Sequence, residues 1–163
     1  YKAPEEIVSM AITADSIGIA YTYSEPTIWF EFVKDCSKLA REKKLKNVLV
    51  TNGFINPDPL VEMTEFIDAM NIDLKFFSEE LYQKICGGKL RPVLETIRTA
   101  SKETHIEITN LLIPTLNDSD EDIEKLVDFV AELNRDIPLH FSAYKPYNQD
   151  IVQNACYSLF WAL

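Results

Sequence analysis

Short apolar runs alternate with longer amphipathic segments along this sequence of 163 residues. The apolar runs, which predict strands, fall at about 18–23, 47–51, 70–75, 105–112 and 138–143. The segments with helical periodicity lie near 4–15, 27–43, 58–67, 90–102 and 119–133. Strands that alternate with helices of this length form βαβ units, whose crossovers make the strands parallel. The pattern therefore predicts an α/β protein with five parallel strands.

Prolines and capping residues mark where several of these helices begin. Pro26 and Pro57 stand at the start of helical runs, and Ser119 followed by Asp122 is typical of a helix N-cap. A shorter helical stretch, at 79–86, ends at two glycines. Since no Gly/Ser-rich linker interrupts the alternation, one domain is the simplest interpretation.

Polar residues occupy one face of three predicted strands, because side chains alternate along a strand. They are Asn71, Asp73 and Lys75 on the third strand, Glu107 and Thr109 on the fourth, and His140 and Ser142 on the fifth. A sheet covered by helices on both faces has almost continuously hydrophobic strands. One polar face therefore favours a barrel with a polar, ligand-sized interior over an open doubly wound sheet, and it predicts that Leu139 and Phe141 pack on helices.

Each predicted strand ends in groups that can bind or react. They are Ser24-Glu25-Pro26, Thr51-Asn52-Gly53, Asp73-Leu74-Lys75, Asn117-Asp118 and, on the last strand, His140. Binding sites of parallel α/β proteins lie at this carboxyl edge. Each group also has a purely structural interpretation: a helix cap at Glu25, a turn at Asn52, an ion pair between Asp73 and Lys75, and a packed imidazole at His140.

Charge and cysteine content narrow the possible partners. The formal net charge of -10 disfavours nucleic acids and anionic membrane surfaces, so we expect small-molecule or protein partners. No apolar run is long enough to span a bilayer, and we expect a cytoplasmic protein. The cysteines are Cys36, Cys86 and Cys156, too few and too dispersed for a disulfide framework or a metal-ligand cluster. The sequence does not predict an oligomeric state.

A series of motifs in one order resembles a known family. The motifs are Ala20-Tyr21-Thr22-Tyr23-Ser24-Glu25-Pro26-Thr27, Val50-Thr51-Asn52-Gly53-Phe54, Asn71-Ile72-Asp73-Leu74-Lys75, Ile106-Glu107-Ile108-Thr109, Ile113-Pro114 with Asn117-Asp118, and Pro138-Leu139-His140-Phe141. Together they are similar to the AmmeMemoRadiSam-type radical S-adenosylmethionine proteins, relatives of the pyruvate formate-lyase activating enzymes. The resemblance places a partial barrel at 1–147 and leaves an atypical tail at 148–163.

The resemblance implies strands two to six of a parallel (βα)6 partial barrel, a partial TIM barrel. It also implies an oxidoreductase in which a [4Fe–4S] cluster reduces S-adenosylmethionine and generates a 5′-deoxyadenosyl radical, as in glycyl-radical activating enzymes. Glu25 would receive the amino group of the cofactor's methionine, Lys75 its carboxylate, and Asp73 a nearby monovalent cation. The residues that would line the rest of the cofactor are Thr51, Asn52 and Thr109 at the ribose and methionyl part and His140 at the adenosine end.

The sequence departs from this family in its cysteines. The family's C-x3-C-x2-C loop, which supplies three thiolates to the cluster, does not occur in it. Since residue 1 is Tyr1, we expect part of a longer protein whose cluster ligands lie upstream, and we expect this part alone to be inactive. Cys36 and Cys86 are expected within helices and Cys156 in the tail, so we do not expect the three cysteines to converge at the strand ends.

Two other interpretations stay open at this point. Lys75 at a strand end could form a Schiff base in a different barrel enzyme. Alternatively, the chain could be a truncated, non-catalytic barrel that only binds a partner.

Overall fold

The chain builds one sheet in which helices and turns connect the consecutive strands. The computed structural model describes residues 2–145. The strands are β1 (Gly18–Tyr21), β2 (Lys46–Thr51), β3 (Ala69–Asp73), β4 (His105–Leu112) and β5 (Leu139–Ala143). The helices are α1 (Pro4–Thr13), α2 (Phe30–Glu42), α3 (Pro57–Thr64), α4 (Glu79–Leu81), α5 (Leu90–Glu103) and α6 (Asp120–Leu133). A 3-10 turn, Pro26–Trp29, precedes α2, and a π-helical turn, Tyr82–Cys86, follows α4.

All five strands lie where the sequence predicts them, with one difference that affects the site. The third strand ends at Asp73 rather than at residue 75. The Leu74 N–H still donates to the Thr109 carbonyl at 3.0 Å, but the Lys75 N–H turns to the hydroxyl of Tyr82. Lys75 therefore lies just beyond the sheet.

The strands pair in parallel and in the order β1-β2-β3-β4-β5. Each connection moves one strand in the same direction. With right-handed crossovers, the intervening helices then cover the same face of the sheet. A doubly wound sheet would need a reversal of strand order, and none occurs within residues 2–145. The described topology is that of the predicted partial barrel.

The hydrophobic core lies between the sheet and its helices. Strand residues of the core include Leu49, Met70, Ile72, Ile106 and Ile108, and helix residues include Leu60, Met63, Val93, Ile97 and Phe129. The other face carries the polar residues Asn71, Glu107, Thr109 and His140, which we call the polar face. Side-chain hydrogen bonds join Thr109 to Asn71 and His140 to Glu107 across neighbouring strands. The predicted register of these strands is confirmed.

The outer strand β5 is less buried than expected. Leu139 packs against the core, as predicted. Phe141 borders a small cavity beside α6, on the predicted face, yet its side chain remains 41% exposed. β5 is the last strand of the described sheet, so the ring of Phe141 has core neighbours on one side only. Among residues 2–145, none of the helices has the length and apolar composition needed to cross a bilayer.

A buried amide ties the amino-terminal part of the sheet together. The side chain of Asn47 is fully buried; its Oδ1 accepts from the Tyr21 hydroxyl at 3.0 Å, and its Nδ2 donates to the carbonyls of Ser37 at 2.9 Å and Phe66 at 3.0 Å. Burial raises the pKa of Tyr21 to about 12, so the hydroxyl stays a donor at neutral pH. This network fixes β1, β2 and α2 relative to one another, at the end opposite to the strand-end loops.

Replacing this amide should destabilise the fold strongly. We expect Asn47→Ala to lower the free energy of unfolding by about 2–4 kcal/mol, because it leaves a hydroxyl and two carbonyls buried without partners. Tyr21→Phe, which removes one of these bonds and leaves only Asn47 Oδ1 without a donor, should lower it by about 1 kcal/mol. Urea unfolding measures both values. Equal losses in the two variants would contradict the importance assigned to the amide.

The Glu107–His140 contact should make the stability of the outer strand depend on pH. The hydrogen bond from His140 holds the pKa of Glu107 below its ordinary value of 4.5. A pKa that is lower in the folded state stabilises the fold above the unfolded value, and this stabilisation is lost as the pH falls through the folded value. Because Glu107 is partly exposed, the effect should stay below about 1 kcal/mol.

We therefore expect Glu107→Gln to be less stable than the wild type at neutral pH, with a difference that shrinks as the pH falls below 4.5 and through the lowered pKa of Glu107. Urea unfolding at a series of pH values measures it. As a control, Glu132→Gln changes an exposed carboxylate on α6 and should give no such pH-dependent difference. If the difference in the free energy of unfolding between the wild type and Glu107→Gln were the same at all pH values, the shape of the Glu107 side chain and not its charge would be responsible.

Candidate functional site

A cleft of about 440 Å³ opens at the carboxyl ends of β1, β2 and β3. Its polar lining is Ser24, Glu25, Thr27, Asn52 and Lys75. Its apolar lining includes Ile28, Phe54, Tyr82, Ile85 and Val93. The cleft thus has charged groups on the strand-end loops and a hydrophobic wall between them and α5. This combination suits a small ligand with a charged head and an apolar body.

Glu25 is buried in the cleft wall and already bound by its neighbours. Its Oε1 accepts from the N–H of Thr27 at 3.1 Å, the hydroxyl of Thr27 at 2.8 Å and the hydroxyl of Thr51 at 2.8 Å. Its Oε2 accepts from the N–H of Asn52 at 2.8 Å. The carboxylate therefore caps the 3-10 turn, as the structural interpretation of the sequence suggests, and also joins the ends of β1 and β2. Oε2 keeps room for one further donor.

The turn after β2 places Asn52 beside this carboxylate. Asn52 Oδ1 accepts from the Phe54 N–H at 2.8 Å, which closes the turn expected from the sequence. Gly53 has φ 71°, and a Cβ there would lie 2.8 Å from Ile72, so a side chain does not fit. Thr51 is almost completely buried, and its hydroxyl is directed to Glu25 rather than to the cleft.

Asp73 and Lys75 form an ion pair at the floor of the cleft. Lys75 Nζ lies 2.8 Å from Asp73 Oδ2, and the two side chains are only 13% and 10% exposed. Lys75 lines the cleft, while Asp73 pairs with Thr109 in the β3–β4 register. The expectation that Asp73 holds a monovalent cation stays a prediction.

Thr109 and His140 lie on the polar face and do not line the cleft. Thr109 Oγ1 donates to Asn71 Oδ1 at 3.0 Å. His140 Nε2 lies 2.8 Å from Glu107 Oε2, and the two residues Thr109 and His140 are register partners. The polar face therefore begins beside Asp73, next to the cleft, and extends towards β5. The predicted site residues fall into two adjoining groups: Glu25, Asn52 and Lys75 in the cleft, and Thr109 and His140 on the polar face.

The sequence did not predict the apolar wall of the cleft. The π-helical turn after α4 directs Tyr82, Ile85 and Cys86 to the cleft. The prediction that Cys86 lies in a helical stretch is confirmed, and this turn also makes Cys86 line the cleft. Two consecutive glycines after a short helical stretch were the available signal, but they do not specify a π turn.

The other cysteines do not join Cys86 within the described residues. Cys36 is buried in α2, where burial raises the pKa of its thiol to about 11. Cys156 lies outside residues 2–145. Across that described range, no three His, Cys, Asp or Glu side chains converge on a point where they could hold a metal ion.

Comparisons with known proteins agree with this architecture. The chain matches the model of the radical S-adenosylmethionine (radical SAM) superfamily over residues 1–130. It is 46% identical over 145 residues to an uncharacterised protein of Methanocaldococcus jannaschii, covering 88% of this chain and 43% of that protein. It is 26% identical over 125 residues to the pyruvate formate-lyase 1-activating enzyme of Escherichia coli, covering 75% and 51%. The chain thus spans about half the length of the curated relatives it matches.

The fold also resembles that of a solved enzyme. Streptococcus suis SuiB bound to S-adenosylmethionine matches with a TM-score of 0.73 at 16% identity, over 92% of this chain and 36% of SuiB. This likeness confirms the partial barrel. Because the superfamily match extends over most of the chain and the parallel sheet agrees with it, the protein belongs to the radical S-adenosylmethionine superfamily.

Proposed function

We propose that the cleft and the polar face bind S-adenosylmethionine. The observation that carries this proposal is that an acid and a base, Glu25 and Lys75, line one cleft from neighbouring strand ends, with Asn52 between them in strand order. An α-amino acid group carries an ammonium and a carboxylate, which match these two charges. Charge-assisted hydrogen bonds to both would fix its orientation.

The bonding state of the two side chains supports this fit. Glu25 Oε2 accepts one hydrogen bond from the chain, so it can accept another from an ammonium. Lys75 uses one of three N–H groups on Asp73 and has others to donate to a carboxylate. The apolar wall at Ile28, Phe54 and Ile85 suits the methylene chain of methionine. In this proposal Thr51 acts through Glu25, which it holds in place.

The adjoining polar face gives the proposed ligand a second contact surface. We assign the ribose and methionyl part to Asn52 and Thr109, and the adenosine end to His140. Glu107 restricts the imidazole of His140 to one orientation by accepting its Nε2 hydrogen bond. SuiB, which shares the fold, has been solved with S-adenosylmethionine bound.

The proposed activity is that of a radical SAM oxidoreductase of the activating type. A [4Fe–4S] cluster would supply the electron that cleaves bound S-adenosylmethionine into methionine and a 5′-deoxyadenosyl radical. We propose that the cluster's three thiolates come from a loop upstream of Tyr1. The residues of this chain would bind and orient the cofactor and keep water from it.

A protein or peptide is the proposed substrate. The related Escherichia coli enzyme is named as an activating enzyme of pyruvate formate-lyase, and SuiB has been solved with a precursor peptide. The Schiff-base alternative loses support from the ion pair, because an ammonium held by Asp73 has no lone pair with which to attack a carbonyl.

Removing the lysine should weaken cofactor binding. We expect Lys75→Ala to reduce the affinity for S-adenosylmethionine by about 1.5–3 kcal/mol, roughly tenfold to a hundredfold, because a charged hydrogen bond is lost. Titration calorimetry of the full-length protein measures it. Lys89→Ala, at an exposed position near the cleft, serves as the matched control and should keep the wild-type affinity. Wild-type affinity in Lys75→Ala would remove the lysine from the site.

Glu25→Gln should affect both stability and binding. The amide of glutamine brings donors to a position surrounded by four donors, so we expect the free energy of unfolding to fall by about 1–3 kcal/mol. The affinity for S-adenosylmethionine should fall as well, because the negative charge is lost. Thr51→Val removes one of the four donors and keeps the charge, so its effect on affinity should be smaller. If Thr51→Val weakened binding as much as Glu25→Gln, the charge would not be the feature that the ligand recognises.

A further inference from the structure

The backbone of Lys75 lies outside the sheet ladder that orders the residues before it. β3 ends at Asp73, and Leu74 makes the last ladder bond, to the carbonyl of Thr109. A side chain that must meet a ligand in one geometry needs a fixed backbone, because small displacements at a binding group lower its efficiency steeply. Something other than strand pairing must therefore hold Lys75.

Three side chains from three separate segments bind the peptide groups around Lys75. The hydroxyl of Tyr82, in the π-helical turn, accepts from the Lys75 N–H at 3.2 Å. Asn110 Nδ2, on β4, donates to the Leu74 carbonyl at 2.6 Å and to the Lys75 carbonyl at 3.2 Å. Asn117 Nδ2, in the loop before α6, lies 3.4 Å from the same Lys75 carbonyl.

These three side chains are themselves immobilised. Tyr82 is 4% exposed and packs edge-on against the ring of Phe76. Burial raises its pKa, so the hydroxyl stays neutral. Asn117 is 5% exposed; its Oδ1 accepts from the Ile113 N–H at 2.7 Å, and its Nδ2 also donates to the Leu111 carbonyl at 2.9 Å. The bonds to Lys75 are thus made by groups that do not move freely.

One detail shows that Asn110 contributes less to the stability of the core than an apolar side chain would. Asn110 is 2% exposed, and its Oδ1 has no hydrogen-bond partner among the described residues. A buried acceptor without a partner destabilises the fold, and an apolar side chain of similar volume would avoid this loss. The hydrogen bonds of the Asn110 side chain are all made by its Nδ2, which donates to the carbonyls of Leu74 and Lys75.

We propose that Tyr82, Asn110 and Asn117 are positioning residues that fix the backbone of Lys75 and so hold its ammonium between Asp73 and the cleft. The identity of the ligand rests on the proposed function. The effect of the three positioning residues on the backbone of Lys75 does not depend on it. Of the three residues, only Tyr82 lines the cleft, so Asn110 and Asn117 act through Lys75.

The chain offers a matched control for the experiment. Asn47, like Asn110, is buried and donates from Nδ2 to two backbone carbonyls, but at the opposite end of the sheet. Asn110→Ala and Asn47→Ala should both reduce stability. Only Asn110→Ala should change the behaviour of Lys75. Tyr82→Phe, which keeps the ring and removes only the hydroxyl, is the second test variant should Asn110→Ala fail to fold.

The first measurement needs no cofactor. Limiting acetic anhydride acylates lysines of the folded protein, and mass spectrometry gives the rate at Lys75 relative to the exposed Lys89. We expect Asn110→Ala and Tyr82→Phe to raise this relative rate by roughly threefold or more, because local opening frees the ammonium from Asp73. Asn47→Ala should keep the wild-type ratio. An unchanged ratio in both test variants, or an equal rise in Asn47→Ala, would overturn the positioning role.

The second measurement is the calorimetric affinity of the full-length protein for S-adenosylmethionine. We expect about a five- to tenfold weaker affinity in Asn110→Ala and Tyr82→Phe, and wild-type affinity in Asn47→Ala. If the acylation rates change as expected but the wild-type protein does not bind S-adenosylmethionine, the positioning of Lys75 is supported and the proposed ligand is wrong. If S-adenosylmethionine binds equally well to all variants, the three positioning residues do not serve this ligand, and their proposed role in binding is overturned.

Discussion

Parallel pairing in consecutive order makes every strand of this sheet end at the same edge, and the arrangement of the site follows from that constraint. β1, β2 and β3 bring their loops together there, so that Glu25, Asn52 and Lys75 line one cleft although the first and last of them are 50 residues apart in the sequence. The same order leaves one face of the sheet without the helices that build the core. Polar side chains can occupy that face because it needs no helix partner.

Each charged group of the cleft is satisfied by the protein before any ligand arrives. Glu25 accepts four hydrogen bonds and Lys75 pairs with Asp73. This local bonding prevents the large loss of free energy that an unpaired buried charge would cause. It also fixes the directions in which the remaining donors and acceptors lie. The site is thereby pre-organised, and little side-chain conformational entropy is lost when a ligand binds.

Local patterns in the sequence predict the strands, the polar face and the charged groups at the strand ends. They can do so because strand alternation and turn residues are properties of a few neighbouring positions. Contacts between distant segments were not predictable in this way. Tyr82, in the π-helical turn that brings Cys86 to the cleft, packs against the ring of Phe76, and its hydroxyl accepts from the Lys75 N–H beyond the end of β3. Asn110 and Asn117 have the sequence context of a strand interior and a loop, and only the folded chain shows that both bind Lys75.

The charges at the site also match those of the proposed ligand. Glu25 and Asp73 each contribute one negative charge and Lys75 one positive charge, which leaves the strand-end site with one net negative charge. S-adenosylmethionine carries an ammonium, a carboxylate and a sulfonium, which leaves one net positive charge. In the proposed arrangement Glu25 would pair with the ammonium of this ligand, whereas its carboxylate would meet a Lys75 that is already paired with Asp73. Because the net charges of the site and of the ligand are opposite, the site as proposed would attract S-adenosylmethionine more strongly than methionine, the thioether without net charge that its cleavage leaves.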